Sequence, residues 1–353
     1  MNKFPIFILF CMWLTQSCVD EIQLPIRQST TDVNISCVLS DSLETQKVLI
    51  QYTAAIGKDA AVDGAPISGA EVAVTTKQGL KIPMTENSKT KGSYESVFRV
   101  AQGHDYRIEV NMPSGKKYLS DYKSVSPIKT SVEVLARSFK EQILTSANNI
   151  ITQDKVGVYF NSSLRKDGFD LKALYRISGE YQVQEFYLMI LNPRTCYVKE
   201  NLDFNNLAAY DGKDYVNGQL KEVKLFSTLG DYRFYDTYAF LVEQYIVDDA
   251  TYQYFNSVYK LTNIDNNLFA VPPGRIKGNI YNPDDPNEDV SGYFTVGAKT
   301  SKRIFTDQGT LGLQVYSLCQ NPNKTIRRYQ DMPTCYDCLL ITGAQREKPS
   351  YWR

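Results

Sequence analysis

Val33, Ile35, Cys37 and Leu39 fall on every second residue, and Val48, Ile50 and Tyr52 repeat the pattern. A period of two sends alternate side chains to opposite faces of an extended chain, so these stretches can bury one face only as strands. Comparable runs cover residues 70–75, 93–100, 106–112 and 117–119, with Asp63-Gly64, Lys91-Gly92 and Pro113-Ser114-Gly115 between them as turns. Roughly seven short strands in about a hundred residues, with no helical period, predict an immunoglobulin-like β-sandwich over residues 29–126.

The pattern breaks near Val125-Ser126-Pro127, where we place a domain boundary. Residues 127–353 are expected to form a larger β-rich domain, with strands over 132–135, 156–160, 174–183, 186–191 and 238–247. One segment differs. After Asp248-Asp249, residues Tyr252, Phe255, Tyr259 and Thr262 recur at three and four. That spacing predicts a short amphipathic helix packed on a sheet, with either aspartate as N-cap. The 25 tyrosines suit β-structure, where such rings pair across strands and fill cores. A tyrosine-lined face for sugars or peptides stays open as the second use of these rings.

Charge and histidine content narrow the chemistry. The 39 basic and 39 acidic residues cancel, so no basic field exists to gather nucleic acid. The single histidine, His104, stands in Gln102-Gly103-His104-Asp105, a turn between strands, and no Gly-x-Ser-x-Gly elbow exists to partner it. Walker and dinucleotide glycine motifs are absent too. The loop Asn282–Asp289 concentrates four carboxylates but lacks the ligand order and glycine of a calcium hand, so it is expected to be a polar connection. Asp248-Asp249 is expected to cap a helix, not to serve as paired acid and base. No catalytic residue, metal ligand or cofactor is expected.

The start of the chain carries an address. Lys3 precedes an apolar stretch, Phe4 to Leu14, of about 16 Å as a helix, too short for a hydrocarbon core of about 30 Å. Residues 1–17 therefore suit a secretory signal. Leu14-Thr15-Gln16-Ser17-Cys18 resembles the lipobox of bacterial lipoproteins, which implies a diacylglyceryl group on Cys18, cleavage before it, and a lipidated tether over 18–28. Asp20 and Glu21 resemble the signal that sends lipoproteins to the cell-surface face of the outer membrane, which we favour over the periplasmic face.

Of seven cysteines, Cys11 leaves with the signal and Cys18 carries lipid. In an oxidising compartment Cys196, Cys319, Cys335 and Cys338 are expected to form two disulfides. Three pairings are open. We favour Cys196 and Cys319 each reaching one member of the close pair, since a bridge inside so tight a loop is more easily strained. Cys37 is expected to be a free, buried thiol. A redox role for Cys335-Tyr336-Asp337-Cys338 is disfavoured, because Pro333 precedes it and Leu339–Thr342 suits a strand better than a helix start. A zinc site is disfavoured because it needs two close cysteine pairs.

The mature chain resembles the envelope lipoproteins of domain-of-unknown-function family 4249. The lipobox is followed by Ile67-Ser68-Gly69-Ala70-Glu71-Val72, Gly92-Ser93-Tyr94 and Tyr106-Arg107-Ile108-Glu109-Val110, similar to sandwich modules of bacterial envelope proteins. Then come the helix near 249–261, Pro272-Pro273-Gly274, Gly278-Asn279-Ile280-Tyr281-Asn282, Val290-Ser291-Gly292-Tyr293-Phe294, the Cys-x-x-Cys and Trp352. The resemblance implies accessory work beside a TonB-dependent outer-membrane receptor in nutrient uptake, and the leading expectation is a non-catalytic binding or accessory protein. Two rival classes are an envelope carbohydrate-active enzyme with paired carboxylates and a surface adhesin.

Overall fold

The computed structural model describes residues 32–53, 64–185, 194–202, 207–262, 276–319 and 332–352. The signal segment, Cys18, the tether, the strand expected at 186–191 and Pro272-Pro273-Gly274 lie outside the described residues. The fold is mainly β, and among the described residues one helix exceeds four residues. None of the described helices is long and apolar enough to cross a membrane.

Strands β1 (Val33–Ser40) and β2 (Glu44–Tyr52) pair antiparallel, with Ile35 opposite Ile50 and Cys37 opposite Val48. The alternation read from sequence is the burial pattern: Ile35, Leu39, Val48 and Ile50 are fully buried. Next come β3 (Glu71–Thr76), β4 (Lys81–Glu86), β5 (Ser93–Phe98), β6 (Asp105–Asn111), β7 (Lys117–Ser120) and β8 (Lys123–Ser124). β4 pairs β3 along most of its length (Val72 opposite Met84), but its last two residues pair β5 (Glu86 opposite Tyr94). It thereby links the β3–β6–β7 ladder to the β5–β2–β1 ladder. Pro83 within β4 interrupts the donor pattern of a strand, which hid it in the sequence.

The rest of the chain supplies β9 (Val132–Leu144), β10 (Ile150–Ser163), the two-residue β11 (Arg165–Lys166) and β12 (Phe169–Asp170), β13 (Lys172–Gln184) and β14 (Thr195–Asn201). There follow β15 (Ala208–Asp211), β16 (Gln219–Leu229), β17 (Tyr238–Val247), α1 (Asp249–Thr262), β18 (Ile280–Tyr281), β19 (Val290–Ser291), β20 (Phe294–Thr306), α2 (Gln308–Leu311) and β21 (Ala344–Gln345). β9 and β10 extend well beyond their expected 132–135 and 156–160, and β16 and β20 carry no clean alternation. Leu339–Thr342 is not a strand: Cys338–Leu340 is a 3-10 turn, capped by the Asp337 carboxylate on Leu339 N–H at 3.2 Å, with Leu339 and Leu340 exposed.

One sheet runs β18-β7-β6-β3-β4-β5-β2-β1-β20-β17-β13-β14-β21, and its middle is the parallel pair β1–β20, with Cys37 opposite Phe294. Gly292 makes that junction. It holds φ +98°, and a Cβ there would sit 2.0 Å from the Ile35 carbonyl oxygen. Asn279 braces it: its amide donates to the Phe294 carbonyl and its oxygen accepts from Phe294 N–H, both at 2.8 Å.

A second sheet, β16-β10-β9, joins the same core. Between them lie Val156, Val158 and Phe160 of β10, Tyr175 and Ile177 of β13, and Tyr238, Phe240 and Val242 of β17, all buried. Phe160 and Tyr175 have ring centroids 4.2 Å apart. Truncating a ring such as Phe240 to alanine would cost about 3–5 kcal/mol. The core also encloses Gln244, whose Nε2, with two hydrogens to share, lies 2.9–3.0 Å from the Thr130, Ser162 and Tyr175 hydroxyl oxygens.

α1 begins where its spacing placed it. Asp248 accepts from Thr251 N–H at 2.8 Å as N-cap, and Tyr252 buries itself against Leu174, Leu207, Tyr245 and Val247. Charges stitch the early and late strands: Lys299 reaches both Glu44 and Glu243, Lys129 pairs Asp41 at 2.7 Å, and Lys123 pairs Asp248 at 2.7 Å.

Candidate functional site

The late cysteines form a clamp. Cys196 on β14 bridges Cys338, and Cys319 bridges Cys335, so each distant cysteine takes one member of the close pair. All four are buried. Glu185, buried at the end of β13, accepts from Cys338 N–H at 3.0 Å and from Arg194 at 2.6 Å, which fixes the turn carrying the bridge. Beyond it the tail lies on the sheet: Trp352 packs against Tyr197, Ala239 and Phe305, and its indole N–H donates to Gln182 at 3.2 Å. Tyr351 donates to Glu180 and lies under Arg303, 3.5 Å from its ring centroid. Burial, reinforced by the Glu180 carboxylate, pushes the Tyr351 phenol up to about 12. These contacts are structural. Cys37 is a buried free thiol; burial drives its pKa far up, against a smaller opposing pull from Arg176, which leaves it unreactive.

The other sequence candidates also find structural roles. His104 is exposed in its turn, with Nδ1 3.3 Å from Gln78 Oε1. In the acidic loop, Glu288 accepts from Tyr118 O–H at 2.7 Å, from Lys116 at 2.8 Å and from Asn282 at 2.5 Å, so it fastens the loop to β7. Among the described residues, no three His, Cys, Asp or Glu side chains cluster as metal ligands would.

Ten of the described tyrosines are buried, Tyr94, Tyr118, Tyr175 and Tyr238 completely. At one place they lead outward. From Phe160 and Tyr175 the stack continues to half-buried Tyr210 (5.5 Å from Tyr175), then to half-buried Tyr215 (6.4 Å from Tyr210). β15 positions Tyr210, and two successive 3-10 turns, Gly212–Asp214 and Val216–Gly218, flank Tyr215. α1 covers the opposite face of β15 with Tyr252, and carries the exposed Tyr259. Burial raises the Tyr210 and Tyr215 phenols, so both stay protonated and able to donate.

A charged row lies at the same end of β13 and β15, on the sheet face that Tyr252 covers. Asp211 is buried and caps the first turn through Lys213 N–H at 3.1 Å; the ammonium groups of Lys213 and Lys172 lie 3.1 and 3.4 Å from its Oδ2. Lys172 also pairs Asp249 at 3.2 Å and sits over the Tyr252 ring. Burial alone would push the Asp211 carboxyl up, but these donors and charges outweigh it and hold it below the usual range. Flat rings with protonated hydroxyls can bind a polar, partly flat ligand such as a sugar or peptide. Sequence reasoning missed this cluster, although its signal was present: Tyr210 and Tyr215 bracket Asp211-Gly212-Lys213-Asp214.

Among families, the model described as Domain of unknown function (DUF4249) matches residues 19–303. No curated protein matches the chain.

Proposed function

The chain belongs to the DUF4249 family, and from that premise we propose a non-catalytic binding or accessory protein of the bacterial outer membrane. Lipid on Cys18 anchors it, residues 18–28 serve as tether, and a TonB-dependent receptor is its partner in nutrient uptake. Several acyl chains at roughly 0.8 kcal/mol per buried methylene would make the anchor effectively permanent. Residues 29–126 would form an immunoglobulin-like sandwich, with β4 as the strand that changes layer. The acidic pair Asp20-Glu21 favours the cell-surface face.

The observation that carries the binding role is the aromatic ladder that leads outward to half-buried Tyr210 and Tyr215. The nearby carboxylates weigh against glycoside cleavage, which needs one carboxyl kept protonated while the other is charged. Lys172 stands between Asp211 and Asp249, and Lys299 between Glu44 and Glu243. Burial would push the Asp211 carboxyl up, but Lys213 and Lys172 outweigh it and hold it below the usual range, so it is charged.

Two measurements test this reading. A pull-down of the tagged protein from solubilised membranes should recover an outer-membrane β-barrel, and recovery of none refutes the partnership. The Cys18→Ala variant should leave the membrane fraction, and its full retention there refutes the lipid anchor.

A further inference from the structure

Sheet β16-β10-β9 is not three strands wide throughout. β16 accompanies β10 from Gln219 opposite Ser163 to Leu229 opposite Lys155, and Gly230 N–H makes a last bond to the Asp154 carbonyl at 2.8 Å. β9 and β10 go on pairing for five more residues each, from Lys140 opposite Asp154 to Leu144 opposite Ile150. They close through the turn at 145–149, forming an arm about 17 Å long at strand rise. On the outer side of β9, α2 reaches as far as Ser138, whose hydroxyl donates to the Leu311 carbonyl. No described strand pairs with either edge of the arm.

The end of this arm is apolar on both faces. Leu144 faces Ile150 and Ile143 faces Ile151, so the period of two puts one aliphatic pair on each side of the ribbon. Leu144, Ile150 and Ile151 are 67%, 69% and 40% exposed. From Gln142 to Gln153 no residue is charged. A bare two-stranded ribbon is marginal in water, and these four side chains gain nothing from facing it.

Lipid is the poorer cover. The apex residues Thr145, Ser146, Asn148 and Asn149 would enter hydrocarbon first, followed by strand edges with unpaired amides. Residues 142–153 hold no Trp, Tyr, Lys or Arg to seat in headgroups. The arm also leaves the body beyond the Thr306 end of β20, whereas the chain enters at Val33, beside the opposite end.

We propose that the arm, residues 140–154, docks into another protein. The two aliphatic pairs enter an apolar cleft, the open edges pair with an extended strand of the partner, and the asparagine apex meets polar groups at the cleft floor. That the partner is the barrel receptor rests on the function proposed above.

The test compares pull-downs of the full, tagged protein with its Leu144→Asp/Ile150→Asp double variant and with Val97→Asp, a change at an exposed valine of β5. The double variant should recover at least tenfold less barrel than either, at an unchanged melting temperature. Equal recovery overturns the arm as docking element and leaves the partnership standing; no barrel from the unaltered protein overturns both. Purified Cys18→Ala protein supplies a second readout. Flotation with phosphatidylethanolamine–phosphatidylglycerol vesicles that the double variant abolishes would assign the arm to lipid, and a dimer that it abolishes would assign the arm to a second copy. Either result overturns the proposal.

Discussion

Gln244 shows what one side chain can decide. It is fully buried on β17, and its amide gathers the hydroxyls of Thr130, Ser162 and Tyr175 from three other segments. Gln244→Leu should keep the volume but take the amide from the Thr130 and Tyr175 hydroxyls, while Ser162 keeps its bond to the Ser131 carbonyl, costing about 1–3 kcal/mol in urea unfolding; an unchanged midpoint would show that the hydroxyls satisfy one another. Asp211 makes a pH-dependent case. Its carboxyl is held below the ordinary value, so it stabilises the fold above the unfolded-state pKa of about 3.9 and loses that contribution as pH falls through the lower folded value. Asp211→Asn keeps a capping oxygen and should flatten the acid limb of a stability–pH curve below about pH 4. A parallel limb in both proteins would place the acid sensitivity elsewhere. Neither residue announced itself in the sequence, because a buried polar side chain is recognised by partners that are distant along the chain.

At the scale of elements, the joint at Gly292 and Asn279 holds the molecule's middle together. Asn279→Ala would leave both Phe294 backbone groups without the asparagine, at a cost of about 2–4 kcal/mol. Thermal unfolding measures it, and a shift under a degree would mean the β1–β20 ladder needs no such brace. Elements with a strong local period were legible: β1, β6, β17 and α1 lie within a residue or two of where alternation or the three–four spacing put them, while β2 begins four residues before its alternation at Val48. β4 was hidden by Pro83, and β20 by burial on both faces from Phe294 to Ala298, followed by exposure on both faces at Ser301 and Lys302, which erases alternation. The turn at Cys338–Leu340 passed for a strand because two leucines stand in sequence, although both are exposed and an aspartate cap with a bridge sets the backbone. The aromatic ladder was legible only as tyrosine content and as two tyrosines bracketing the turn at 211–214; its outward course depends on which rings sheet packing leaves uncovered.

For the whole molecule, the two bridges close very different loops. Cys196–Cys338 spans 142 residues and Cys319–Cys335 only 16. On loop-closure grounds the long bridge contributes about 5 kcal/mol and the short one about 3 kcal/mol. Cys196→Ser should therefore lower the melting temperature more than Cys319→Ser; the reverse order would place the stabilisation in local packing around Cys335. Topology sets a second demand. The β1 edge is completed by β20, and the bond from Lys299 N–H to Asp41 joins residues 258 apart. A ribosome adding residues from the N-terminus makes β1 early and its neighbour late, so for most of synthesis a strand with fully buried isoleucine and leucine has one open side. Such a nascent edge invites pairing with stray strands, and long-range closure of this kind is slow. The molecule thus carries a built-in delay: its oldest segment waits for one of its youngest, and a holding chaperone during that interval would decide its yield.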